Sequence, residues 1–301
     1  TNSFREQEIT AAVGLTKVPD DLKKDGGTHT YSLPLTASVM VFFKTTAGVL
    51  ADTKVRQALV RAADTNAVIE NLGFATQPVR EPLLRNQLGF DPKYVQAGYD
   101  VAAANAILDQ AGWVMGKDGV RYQGQYALTF DILVQSGNEY HQVAKQLSAQ
   151  WAKVGAKVTV TAATPGDATY QDAVADHAYD ALLYGISLGA DPDVYVYWHS
   201  SQANVLAPVR LNFSEYKSAI ADGALEAGRT RLDPALRAVK YQPFLQSWQA
   251  DAPALGLYQP RFLYLTHSMV HGLNERPIHT DAGRFANVAN WQIRETRKTI
   301  E

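Results

Sequence analysis

Residues 126–162 read YALTFDILVQSGNEYHQVAKQLSAQWAKVGAKVTVTA, and the periodicities in that stretch decide the fold class. Tyr126 to Gln135 alternates as a strand. Ser136-Gly137-Asn138 then opens a helix predicted to run to about Val154, with Val143, Leu147 and Trp151 four apart on one face. Lys157 to Ala162 returns as a strand. Further on, Asp167 to Ala175 is predicted as a helix and Tyr179 to Gly185 as a strand. Strand, helix, strand, helix, strand is the order of parallel crossovers, so the class is α/β.

The flanks extend this reading. Tyr31 to Lys44 is a β segment, and its continuous apolar core, Val39 to Phe43, suits a strand buried on both faces. Asp52-Thr53 is a cap pair for a helix expected from about Lys54 to Leu72, stopped by Gly73. Pro78, Pro82 and Pro92 mark residues 74–96 as an irregular surface excursion. Tyr99 to Ala111 reads as a helix ending at Gly112. Helices are also predicted for Glu215 to Ala227 and for Pro234 to Asp251, the latter with Pro in its first turn. Leu255 to Tyr258 and Arg261 to Thr266 read as two short strands, and the polar tail from Asn274 has Trp291 as its large anchor.

Composition narrows the function classes. The 301 residues are 46% hydrophobic and 19% charged, which excludes intrinsic disorder. The formal net charge of −2 gives no field toward nucleic acid or anionic lipid, and no nucleic-acid partner is expected. With Cys 0, disulfides, thiolate metal sites and a cysteine nucleophile are all excluded. No stretch approaches the ~18 apolar residues of a spanning helix. The chain begins Thr1-Asn2-Ser3 and not with Met, which reads as a processed or trimmed chain.

Most motifs with chemistry in them fail on context. Gly112 to Lys117 (GWVMGK) has the wrong spacing for a phosphate loop and ends a helix instead of starting one. His267 and His271 are four apart, but they follow a strand-like run with no carboxylate between them, so they read as loop or edge histidines and not as metal ligands. Asp191-Pro192-Asp193 is different. Alone it is ordinary turn chemistry. It follows the carboxyl end of a strand, where open α/β sheets place ligands, and Tyr184, Tyr195, Tyr197 and Trp198 lie close to it in sequence. Aromatic walls with one or two fixed carboxylates suit a small amphiphilic ligand with an ammonium group. Core packing is the competing reading for these aromatics, above all for Trp198.

Six short motifs in order carry a family resemblance. Asp52-Thr53-Lys54-Val55-Arg56-Gln57-Ala58-Leu59 with Ala62-Ala63-Asp64 resembles a D-x-x-V-R-Q-A-L … A-x-D helix. Ala103 to Trp113 resembles A-x-x-L-L-x-x-A-G-W, followed by Asp118-Gly119. Leu147 with Trp151 to Val158 is similar to L-x-x-x-W-x-x-x-G-I-x-V. Gly189 to Asp193 looks like a shortened A-D-x-x-D-P loop. Tyr216, Ala224 and Ala227 fit the helix after it, and Asp251-Ala252-Pro253 fits a late strand entry. Together they resemble the extracellular solute-binding proteins of the peptide/nickel class, family 5, which feed ABC importers.

The resemblance implies a two-lobed periplasmic-binding-protein-like clamshell of type II, peptide-binding class. Residues 46–269 would form the C-terminal α/β lobe. Residues 1–45 would belong to the N-terminal lobe as crossing strands, and 270–301 would return to it. The N-terminal part would be missing, because family members carry a long portion ahead of the helix that starts here at Asp52. A peptide, by this analogy an oligopeptide, would bind between the lobes and pass to an ABC permease in the membrane. No cofactor and no catalysis are implied, and the location would be extracytoplasmic with a lipid anchor on the full-length form. A carboxylate in the Asp191–Asp193 loop would hold the peptide's amino terminus, since a buried ammonium needs a paired anion. Asp191 is favoured over Asp193. In some dipeptide-binding members an Arg precedes the Trp151-type helix. Here the matching stretch is Gln135-Ser136-Gly137-Asn138, without Arg, which points away from dipeptides. The expected ligand set is therefore Asp191, Asp193, Tyr184, Ser136, Asn138 and Tyr195. Alternatives are a glycan-active hydrolase using Asp191 and Asp193, a non-peptide ligand such as a metal chelate, and an interaction module. The last expects an exposed apolar face on residues 31–45.

Overall fold

The strand holding Val39–Phe43 lies in the middle of a mixed eight-stranded sheet. The computed structural model describes residues 1–293 apart from Ala75, Asn86 and Ala190. The end of the 270–301 segment and one residue of the Gly189–Asp193 loop thus lie outside the described residues. The sheet's strands, in chain order, are β1 (Ala11–Val13), β2 (His29–Pro34), β3 (Ala37–Phe43), β4 (Thr76–Pro78), β5 (Thr129–Gln135), β6 (Lys157–Ala163), β7 (Ala181–Ser187) and β8 (Ala254–Thr266). The spatial order is β1-β8-β3-β7-β5-β6, with β2 and β4 also paired to β8. β6, β5 and β7 run parallel, while β3 is antiparallel to both its neighbours.

Period-two alternation sorts the apolar run of β3 onto two cores. Val39, Val41 and Phe43 join Ile132, Val134, Ala181 and Leu183 on one face, under the helices Thr53–Arg61, Val101–Gln110 and Tyr140–Ala152. Met40 and Phe42 join Leu133, Leu182 and Ile186 on the other, under Ala219–Arg229 and Pro234–Asp251. The outer strand β6 carries Lys157, Thr159 and Thr161 outward, which keeps an open edge from recruiting another strand.

Three expectations need correction. The helix expected over 54–72 is two helices, Thr53–Arg61 and Thr65–Glu70. Asp64 accepts the Ala67 N–H at 3.1 Å and caps the second, so its side chain competes with continuation of the first. The two short strands near the end are one strand, β8, with an irregularity between Gly256 and Tyr258. Pro260 looks like a breaker, yet it sits where β8 changes partners, from β3 and β4 to β2 and β1, so its missing N–H breaks no ladder. Finally, residues 31–45 show no exposed apolar face. Leu33 and Ser38–Phe43 are buried because β7 and β8 flank β3 and helices cover both faces. The same placement puts β3, within the segment assigned to the other lobe, at the centre of this sheet.

The amino-terminal residues form a satellite core of Phe4, Val18, Leu22, Leu263 and Leu265. His267 stacks on Phe4 at 3.9 Å and its Nε2 donates to the Phe4 carbonyl at 2.7 Å, while His271 pairs with Gln292 in a two-stranded ribbon. The His267 ring is therefore used structurally, while His271 is an exposed position of the ribbon.

Glu81 is a buried carboxylate, 6% exposed, in the proline-rich excursion. Burial pushes its carboxyl up from 4.5 to about 7, against the pull of Arg85 and Arg80. The folded chain thus holds a proton that the unfolded chain has released. Stability contributed here is full below pH 4.5 and is lost as pH rises to about 7. The loss is expected to reach up to about 3 kcal/mol. Urea unfolding at pH 5 and pH 7.5 should show it in the wild type and show a smaller drop in Glu81→Gln.

Candidate functional site

The three parallel strands end together. β5 closes at Gln135, β6 at Ala163 and β7 at Ser187. The Ser136 N–H donates to the Ala163 carbonyl at 2.8 Å, tying two of the ends to each other. Gly137 takes φ 81°, and the Asn138 side chain accepts the Tyr140 N–H at 3.0 Å, which starts the helix Tyr140–Ala152. Asn138 therefore has a local capping role, and its side chain lies at the surface.

Beside these ends is a cavity of about 450 Å³ whose lining includes Gln135, Tyr170, Tyr184, Arg210, Leu211 and Phe213. Tyr184 is the even-numbered partner of Leu182 and Ile186 on β7, so it projects to the same face. Its ring lies 5.2 Å from that of Phe213. The Tyr179 hydroxyl donates to the Phe213 carbonyl at 2.9 Å and anchors that wall. On the opposite face, Gly185 leaves room for Tyr140: a Cβ at 185 would meet the Tyr140 hydroxyl at 2.6 Å. Burial raises the Tyr140 hydroxyl, and Glu139, Tyr170 and Tyr184 raise it further. The Tyr258 hydroxyl donates to Glu139 at 2.9 Å. The strand ends thus carry a band of tyrosines, among which burial raises the hydroxyls of Tyr140 and Tyr258 and keeps them hydrogen-bond donors.

The acidic pair lies outside that cavity. Asp191 accepts both ends of the Arg237 guanidinium, the Nη1 bond at 2.7 Å. Arg237 holds the Asp191 carboxyl below the usual carboxylate range. Asp193 pairs with Arg229 Nε at 2.9 Å and accepts the Tyr195 N–H at 3.2 Å. Arg229 in turn covers the Tyr195 ring at 4.1 Å, and Tyr195 stacks on His199 at 4.1 Å. The two arginines come from the end of one helix and the start of the next, so the loop is clamped across that helix hairpin.

Asp191, Asp193 and Tyr195, expected in one ligand set with Tyr184, do not line the cavity that Tyr184 lines. Tyr197 and Trp198 are core. The Tyr197 hydroxyl donates to the Ser187 carbonyl at 2.7 Å, and Trp198 is fully buried between Phe42 and Trp248, both at 5.6 Å. Both carboxylates of the acidic pair are thus engaged by arginines, Asp191 by Arg237 and Asp193 by Arg229. Tyr140, Tyr170, Tyr258, Glu139 and Arg210 were not anticipated. Tyr140 and Tyr170 read as helix residues, and nothing local marks the face they occupy.

Among the described residues no three His, Asp or Glu side chains converge to hold a metal ion, and no helix is long and apolar enough to cross a membrane.

Comparison with known proteins supplies the wider frame. The family model of bacterial extracellular solute-binding proteins, family 5 Middle, matches residues 1–206. Protein XP55 of Streptomyces lividans is 29% identical over 271 residues, 88% of this chain and 46% of its own length. The oligopeptide-binding protein AppA of Bacillus subtilis (strain 168) is 27% identical over 224 residues, 69% of this chain and 39% of its own. The chain thus spans about half, or less, of the curated relatives it matches. NikZ from Campylobacter jejuni, solved with Ni(L-His), superposes with TM-score 0.78 at 24% identity, over 96% of this chain and 58% of that one. AppA from Bacillus subtilis, solved with a nonapeptide, gives TM-score 0.74 at 21% identity over 98% and 58%. At these identities the solved structures speak for the fold, the α/β architecture of type II periplasmic binding proteins. With the family model covering more than half of its length, the chain belongs to the bacterial extracellular solute-binding proteins of family 5.

Proposed function

We propose that this chain builds one wall of the ligand cleft in the substrate-binding component of an ABC importer, and that the ligand is a peptide. The observation that carries the reading is the cavity at the carboxyl ends of the parallel strands, with Tyr184 and Tyr170 on its wall. Aromatic rings accept varied side chains, while neighbouring polar groups hydrogen-bond a peptide backbone. AppA is named as an oligopeptide-binding protein, and a Brucella ovis relative, 26% identical over 208 residues, as a putative ABC transporter peptide-binding protein. In this proposal β2 and the second half of β8 cross to a second lobe contributed by further polypeptide, and residues 270–301 return to it. Closure of the lobes passes the peptide to a membrane permease. The full-length form is extracytoplasmic and lipid-anchored. Asp191 receives the peptide's amino terminus, but Arg237 must then give way, so its contribution is smaller than that of Tyr184.

Calorimetric titration of the full-length protein with a short-peptide library tests this. Peptides should give saturable heat, and Tyr184→Ala should weaken binding by about tenfold or more, the cost of losing an aromatic anchor. No heat with any peptide would contradict the proposal.

A further inference from the structure

We infer that the cavity beside Tyr184 is a subsite for a carboxylate-bearing apolar group, with Arg210 as the partner of the anion. For a peptide ligand, that group is the carboxyl-terminal residue with an apolar side chain. The inference rests on the peptide reading above and adds which end of the ligand enters here.

The lining has one sign of charge. Among the described residues that line the cavity, Arg210 alone is charged, and Val174, Leu211 and Phe213 supply apolar surface. Its backbone is held in an unusual state. Arg210 adopts φ 52°, the left-handed region that costs any residue with a Cβ. The conformation is fixed from behind. His177, fully buried, donates from Nε2 to the Arg210 carbonyl at 3.1 Å, which sets that ring nitrogen as the protonated one. Arg210 Nε donates to the Ala207 carbonyl at 3.2 Å. The two terminal nitrogens make no hydrogen bond among the described residues. The nearest carboxylate, Asp176, stands 3.9 Å from Nη1 and is largely exposed, a weak and solvent-screened partner. A glycine would hold this turn without strain, whereas the arginine carries a conformational cost.

A second group points the same way. Tyr170 is 6% exposed and lines the same cavity, yet its buried hydroxyl has no partner among the described residues. An orphaned buried hydroxyl is a standing penalty that an incoming acceptor removes. Burial, with Tyr184 adding to it, pushes that hydroxyl up to about 12, so it remains a donor. A fork of free N–H groups and an idle O–H donor, over an apolar floor, match a carboxylate on an apolar body. They do not match an ammonium, which would meet the guanidinium's charge. The absence of Arg between Gln135 and Asn138 is then no obstacle to holding a free carboxyl terminus, because the cation comes from a different loop.

The test uses the full-length protein and short peptides ending in Leu or Phe, each as the free acid and as the carboxyl-terminal amide, titrated by calorimetry. The free acid should bind about 10- to 100-fold more tightly than the amide, as expected for charge-assisted hydrogen bonds. Arg210→Met keeps much of the apolar stem, and Arg210→Gly relieves the backbone. In both, the acid-to-amide ratio should fall toward one while peptide-amide binding persists. Arg210→Gly should also unfold no more easily than the wild type, which separates lost recognition from lost folding. Equal binding of acid and amide by the wild type, or an unchanged ratio in both variants, overturns the inference and leaves peptide binding standing. No heat with either peptide form overturns the peptide reading itself.

Discussion

Arg56→Ala is expected to destabilise the fold by about 4–6 kcal/mol, measured as a lowered midpoint in urea unfolding. Arg56 is 3% exposed. Its Nη1 donates to the carbonyls of Leu50 and Ala51 at 2.8 and 3.0 Å. Its Nε and Nη2 reach the Asp251 carbonyl at 3.0 and 2.6 Å, Nε also reaches Ala252 at 3.2 Å, and Nη2 reaches the Thr53 hydroxyl at 3.0 Å. Burial lowers the guanidinium's pKa, and the nearby Asp251 and Asp52 pull it back up. One side chain therefore satisfies the end of the long helix Pro234–Asp251 and the turn before Thr53–Arg61, joining helices that serve opposite faces of the sheet. Truncation leaves several carbonyls buried without donors. Arg56→Lys should recover little, because an ammonium cannot match the planar fork. This gives the V-R-Q-A-L motif a physical meaning: its Arg is a strut between two helix ends. A loss under about 1 kcal/mol would remove that role.

Trp151→Ala should cost about 3–5 kcal/mol in the same measurement. Trp151 is fully buried, with its ring 5.7 Å from Phe130 and 6.2 Å from Phe43. Its Nε1 donates to the Leu59 carbonyl at 2.8 Å, which stitches the helix Tyr140–Ala152 to Thr53–Arg61 across the core. Trp151→Phe keeps much of the volume and removes the donor, so about 1–2 kcal/mol of the loss should remain. An Ala variant no worse than the Phe variant would mean the site collapses freely, contrary to the packing seen.

The α/β class was legible because its signals are local. Alternation in β5 and β6 and the spacing of Val143, Leu147 and Trp151 survive in the fold with small shifts at the ends. The helix Pro234–Asp251 matches its expected bounds, since a cap at Asp233 and Pro at the first turn mark its start. What failed was also physical. Leu255 to Tyr258 and Arg261 to Thr266 read as two strands because sequence does not show where β8 changes partners. The Asp191–Asp193 pair was legible as an acidic turn, but its two arginine partners lie on helices further along the chain, and nothing in the loop announces them. Arg210 was invisible for a different reason: it reaches the cavity wall from a left-handed backbone held by His177, which no residue pattern encodes.

The most direct test is what the protein already carries. The full-length protein, purified from its own source without refolding, would be denatured and the released small molecules identified by mass spectrometry. The account predicts a mixed set of peptides with free carboxyl termini. Recovery of a metal chelate or an oligosaccharide in stoichiometric amount, with no peptide, would contradict it.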